Sequence, residues 1–118
     1  MTLKGICDYC LAKKGAYLDF PFSNNSDYAV VKVRLTPNGK ARIFAEIFIL
    51  NGRDALTFSC DADSASFIRS KRADVFVKGW HCPPAQAKYK TTAYLDKLQD
   101  SEIYELLDIS YLWNLTKL

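Results

Sequence analysis

At 118 residues, with 49% hydrophobic and 25% charged residues, the chain has the size and composition of one globular domain, which excludes a fibrous or disordered composition. Lys and Arg number 16 against 13 Asp and Glu, and a net charge of +3 is too mild to mark a polyanion binder by itself. The longest nearly apolar run, 103–115, is broken by Glu105, Asp108, Ser110 and Asn114 and falls short of the roughly 20 residues that cross a bilayer, so a soluble protein without membrane contact is expected.

The start of the chain lacks a basic segment followed by an apolar core, so a reducing cytoplasmic location is expected, with the four cysteines as thiols. Leu3, Ile6, Cys7, Cys10 and Leu11 recur at helical spacing, Thr2 can cap, and Gly15 after Lys13 and Lys14 is a stop, which predicts an amphipathic helix over 3–14. A short extended piece is expected over 17–20, and Pro21 with Ser23, Asn24, Asn25, Ser26 and Asp27 breaks the chain before the first long strand.

In that strand Ala29, Val31, Val33 and Leu35 alternate with Tyr28, Val30, Lys32 and Arg34, the period of a half-buried strand with its aliphatic face inward. Thr36-Pro37-Asn38-Gly39 suits a type I turn with Gly39 at positive φ, and that loop pairs Leu35 with Ala41, Val33 with Ile43 and Val31 with Ala45. Asn51-Gly52 is a strong hairpin signal whose two-residue loop pairs Ile47 with Leu56, Ala45 with Phe58 and Ile43 with Cys60. Both turns assign the same residues to the inner face of the central strand.

Asp61 can cap a helix through about Arg72, with Asp63 and Arg69, Lys71 and Arg72 matched to its dipole and Phe67 and Ile68 as anchors. Extended chain is expected over 74–80, an irregular loop at Pro83-Pro84, a strand over 89–95, and a last helix opened by Asp100. Ile103, Leu106, Leu107, Ser110 and Asn114 form the buried stripe of that helix, widened by Tyr104, Tyr111 and Leu115. With no linker or repeat, 1–118 reads as a single α+β domain: a two-layer sandwich, an antiparallel sheet with helices packed on one face.

Charge along this order is uneven. Lys32, Arg34, Lys40 and Arg42 stand between Tyr28 and Ala45 without an acid, whereas Asp96, Asp100, Glu102, Glu105 and Asp108 face only Lys97. In the register above, the outer sheet face sets Arg34 opposite Arg42, Lys32 opposite Phe44 and Tyr28 opposite Phe48. Like charges across a strand pair cost a fraction of about 0.2–1 kcal/mol, which phosphates would offset, while the aromatics could stack bases. The expected nucleic-acid-binding residues are therefore Lys32, Arg34, Lys40 and Arg42 on phosphates, with Tyr28 and Phe44 stacking. The alternative is a protein-interaction or homodimer face using Phe44 and Phe48, and a third reading is a small-ligand pocket around Trp80, His81 and Tyr89.

Other chemistry has little support. Cys7-Asp8-Tyr9-Cys10 resembles a metal or redox pair, yet no second pair has matching spacing and both cysteines lie on the helix's apolar stripe, so buried thiols are expected, with no metal and no cofactor. His81 and Cys82 are adjacent, and neighbours in extended chain point apart, so direct pairing of the two is not expected. There is no Gly-rich phosphate loop, no Gly-x-Ser-x-Gly elbow and no His-Glu-x-x-His, so a non-enzymatic protein is expected.

Tyr9-Cys10-Leu11-Ala12-Lys13-Lys14-Gly15, Asp19-Phe20-Pro21-Phe22, Ser59-Cys60-Asp61-Ala62-Asp63, Gly79-Trp80-His81, Ser101-Glu102-Ile103-Tyr104 and Asp108-Ile109-Ser110-Tyr111 occur in an order that resembles the MmcQ/YjbR family over nearly the whole chain. The resemblance implies a CyaY-like (frataxin-like) α+β fold and a DNA-binding protein with a double-wing motif. Where the family carries Asn-Lys and then His-Trp, this chain has Cys82-Pro83-Pro84-Ala85-Gln86-Ala87-Lys88-Tyr89. Carried over by position, Trp80, His81, Lys88 and Tyr89 are the loop candidates. The resemblance does not carry iron binding with it, because Asp8 is the only acid of the first helix.

Overall fold

A computed structural model describes residues 1–22 and 27–118; Ser23, Asn24, Asn25 and Ser26, part of the expected break, lie outside the described residues. Helix α1 runs Leu3–Leu11, with the Thr2 side chain accepting from the Gly5 N–H at 2.9 Å. It ends three residues earlier than the spacing predicts, where the Lys13 N–H bonds the Cys10 carbonyl three residues back at 3.1 Å, and Gly15 at φ +80° then leads into strand β1, Ala16–Phe20. Strands β2 (Ala29–Val33), β3 (Arg42–Leu50) and β4 (Arg53–Ser59) form the meander. Helix α2 (Ala62–Lys71), strands β5 (Phe76–Lys78) and β6 (Lys90–Tyr94), and helix α3 (Asp100–Leu115) complete the order. The sheet is antiparallel throughout, in the order β1-β2-β3-β4-β6-β5.

The helices share one face of it. Ile6 and Cys10 from α1, Val31, Val33, Ala45, Ile47 and Leu56 from the sheet, and Ile103 and Leu107 from α3 form the main core, with Phe58, Ala93, Ala65 of α2 and Leu106 of α3 in a second cluster beside it. Burial pushes the Cys10 thiol up to about 12 and raises that of Cys7, as befits small core hydrophobes. Phe67, expected to anchor α2, is 60% exposed; the short residue Ala65 makes the contact, and Ile68 packs at its edge.

The second hairpin has the expected two-residue turn, with Asn51 at φ +54° and Gly52 at +73° and Leu50 paired with Arg53. Its ladder runs to Glu46↔Thr57, so the expected Ala45–Phe58 and Ile43–Cys60 pairs lie beyond it. In the first hairpin the Gly39 N–H reaches the Thr36 carbonyl at 3.0 Å, closing the expected turn. Gly39 does not take positive φ; it is small because a Cβ there would sit 2.2 Å from Thr36 Oγ1.

The main correction is register. Val31 pairs with Ala45 as expected, but Lys32 pairs with Ile43 and Val33 with Arg42, leaving Phe44 as the extra residue of a β-bulge. Phe44 therefore turns to the helix side, where it is 1% exposed and meets the Tyr111 ring edge-on at 5.4 Å. Burying such a ring stabilises by about 1.5–3 kcal/mol, which offsets the broken ladder. Arg42 turns with it, while Arg34 lies over the Tyr17 ring on the other surface. Leu35, expected inside, is 57% exposed in the turn.

Candidate functional site

Past the bulge, β3 and β4 part, and α3 fills the gap. Ser110 Oγ donates to the Phe44 carbonyl at 2.6 Å and accepts from the Ser59 N–H at 3.0 Å, so one hydroxyl bridges two strands that no longer bond each other there. One turn on, Asn114 Nδ2 donates to Ser59 Oγ at 2.8 Å and to the Ser110 carbonyl at 2.7 Å, and Asn114 Oδ1 accepts from Arg42 Nε at 2.8 Å. Both α3 residues are fully buried, which such a group tolerates only when its hydrogen bonds are made. The plug also holds Arg42 in place through a neutral amide, leaving its charge without a carboxylate within ion-pair distance among the described residues.

Beside this plug opens a cleft of about 530 Å³. Lys32, Arg42, Lys90 and Lys117 line it together with Tyr89, Trp113, Ser59, Asn114 and Gln86, and no carboxylate is among the lining residues. Lys32 is held by Asp19 at 3.0 Å and Lys90 by Glu46 at 3.7 Å, so half of the positive charge is partly matched from outside the cleft. The Tyr89 and Trp113 rings lie 5.3 Å apart and tilted by 33°. Arg42 stands 5.4 Å and Lys117 5.3 Å from the Trp113 ring centre, and Lys88 stands 5.1 Å from that of Tyr89. Cations converging beside aromatic faces suit an anionic ligand with a flat ring.

The residues expected to form one flat basic face are thus divided. Lys32 and Arg42 meet in the cleft, approached from opposite sides of the sheet; Arg34 rests on Tyr17; Lys40 is exposed in the turn. Phe44 is buried and cannot stack a base, and Tyr28 donates to Glu46 Oε1 at 2.5 Å. Burial, and then that bond to Glu46, raise the Tyr28 phenol above its ordinary range. Phe48, proposed as an exposed contact, is 2% exposed beneath Trp80, whose ring stacks on it at 4.9 Å, with Tyr28 5.6 Å away. The loop candidates separate likewise: Tyr89 lines the cleft and Lys88 stands over its ring, whereas Trp80 and His81, their rings 4.1 Å apart, belong to the aromatic group on the outer face.

Lys90, Trp113 and Lys117 escape a reading of the sequence. Their signal was present in part: two polar residues, Ser110 and Asn114, on an otherwise apolar helical stripe announce polar partners in the layer below. The acidic stretch near the C-terminal end is largely consumed in pairs, Asp96 with Arg53 at 2.6 Å and Glu102 with Arg72 at 2.9 Å, while Asp108 accepts from Lys13 and Tyr9.

Residues 11–113 match the family model described as YjbR. Over 115 residues the chain is 29% identical to the uncharacterized protein YjbR of Escherichia coli (strain K12), covering 94% of this chain and 85% of that one, and equally to its counterpart in Escherichia coli O157:H7. Among solved structures it is similar to Deinococcus radiodurans protein DR2400, described as a DUF419 domain, with a TM-score of 0.76 and 24% identity over 94% of this chain and 76% of that one. A Pseudomonas syringae protein matches with a TM-score of 0.69 and 23% identity over 96% and 99% of the two chains. The likeness to these two structures concerns the fold alone.

Proposed function

Since the chain belongs to the YjbR family, whose relatives named above carry no assigned activity, we propose its function from its own geometry: it is a non-enzymatic DNA-binding protein of the cytoplasm that holds phosphates in the cleft between β3 and the end of α3. The observation that carries this reading is the convergence of Lys32, Arg42, Lys90 and Lys117 around Tyr89 and Trp113 with no carboxylate in the lining. Lys40 is exposed on the turn after β2, the segment that would serve as a wing against a neighbouring backbone, and Arg34 at the start of that turn lies over the Tyr17 ring. Four free cysteines accord with a reducing compartment. No helix among the described residues is long and apolar enough to cross a membrane.

The test is salt dependence. Four cations on phosphates give a slope of log K against log salt of about −3 to −4, and Arg42→Gln with Lys117→Gln reduces its magnitude by about two. A slope near zero, or one unchanged in the double variant, refutes the assignment. A second reading, contact with a protein or with another copy of this chain, is favoured by the outer face, where Phe20 is 50% and Trp80 37% exposed. Sedimentation that depends on concentration and loses that dependence in Phe20→Ser would support it.

A further inference from the structure

We propose that the cleft takes one unpaired nucleotide of a single-stranded DNA, its base against Trp113 and Tyr89 and its flanking phosphates on Lys32, Arg42 and Lys90, so that the chain prefers single strands to duplex. This rests on the DNA-binding reading and deepens it. The two rings line the wall of a concave site, and a base can lay its face on a ring there only after leaving a duplex stack. A volume of about 530 Å³ falls in the range of roughly 300–1,000 Å³ typical of sites for single small ligands.

Each ring already carries a cation: Lys117 over Trp113 and Lys88 over Tyr89. Both lysines are exposed, on long flexible stems, and can swing from ring to phosphate when a base arrives, leaving the aromatic face to it. Arg42, also 5.4 Å from the Trp113 ring centre, cannot swing in this way, being tied through Nε to the buried Asn114; it stays as a fixed charge beside that ring, and the base takes the part of the ring that Lys117 vacates. Gln86, exposed at the rim, offers a neutral donor and acceptor to a base edge without selecting one base strongly.

The experiment compares a fluorescent dT10 strand, the same label in a duplex of equal length, and free dTMP as competitor, by anisotropy at low salt. The single strand should bind at least tenfold tighter than the duplex, and dTMP should displace it only weakly, since it lacks the flanking phosphates. Trp113→Ala and Tyr89→Ala, each first shown to be folded by circular dichroism, should each weaken dT10 binding about tenfold and leave the duplex little changed. Equal or tighter duplex binding, or dT10 affinity unmoved in both aromatic variants, overturns this inference and leaves the DNA-binding reading standing. Displacement by dTMP as effective as by dT10 overturns the strand as ligand, and binding to neither DNA form removes the DNA-binding reading itself.

Discussion

Replacing Ser110 by Ala removes one oxygen and almost no volume, yet it strips two main-chain groups of their partner. The Phe44 carbonyl loses its 2.6 Å donor and the Ser59 N–H its 3.0 Å acceptor, both inside the protein. A buried backbone group left unpaired costs about 1–3 kcal/mol, so the pair should cost about 2–6 kcal/mol, a large share of the stability of a domain this size. Urea unfolding reads this directly: with a slope of about 2 kcal/mol/M, the midpoint should fall by about 1–3 M. The coupling with Asn114→Ala should be non-additive, because Asn114 holds Ser59 on the same side of the gap at 2.8 Å. A loss below about 1 kcal/mol would mean that β3 and β4 close on each other once the hydroxyl is gone, and the account of α3 as an obligatory bridge would be wrong.

Gly15→Ala should destabilise more than Gly52→Ala in the same urea assay: both glycines have positive φ, costing about 1–2 kcal/mol for an L-residue, but a Cβ at 15 meets the Arg34 carbonyl at 2.3 Å while one at 52 meets nothing within 4 Å. Burial pushes the Asp108 carboxyl up, but hydrogen bonds from Lys13 and Tyr9 outweigh it and hold it below its ordinary value of 3.8. Its contribution is therefore full above that value and lost as pH falls through the lower folded one, so Asp108→Asn should cost stability at neutral pH and little in strong acid. The bond to Asp108, aided by burial, pushes the Tyr9 phenol from 10 up to about 12, so its share of stability fades as pH rises between those values, which phenolate absorbance at 295 nm, a wavelength chosen for about the usual band of the ionised ring, would follow. Of the four thiols, Cys82 is partly exposed while Cys7, Cys10 and Cys60 are buried; one thiol should react quickly with Ellman's reagent, and Cys82→Ser should abolish that phase.

Much of the fold is legible because turns and periods are local. Asn51-Gly52 imposes its register on the residues beside it, Asp61 accepts from Ser64 at 3.0 Å as a cap should, and the stripe Ile103, Leu106, Leu107, Ser110 and Asn114 is buried to the last residue. The bulge at Phe44 is not legible, since Ile43 and Phe44 are both apolar and either phase of the strand offers the core something to bury. From that one residue follow the errors at Arg42, Phe44 and the paired arginines. Lys32, Arg42, Lys88 and Tyr89 stood out as cations and an aromatic, but their convergence with Lys90, Trp113 and Lys117 depends on four separate elements meeting in space, which no local pattern encodes.

The hydroxyl of Ser110 has a consequence for the order in which this molecule assembles. α3 follows every strand of the sheet in chain order, so during synthesis the meander leaves the ribosome with a seam it cannot sew by itself. Until the final helix emerges and docks, the far ends of β3 and β4 must stay hydrated, and the sheet reaches its finished form only in one cooperative step with the helix that stitches it.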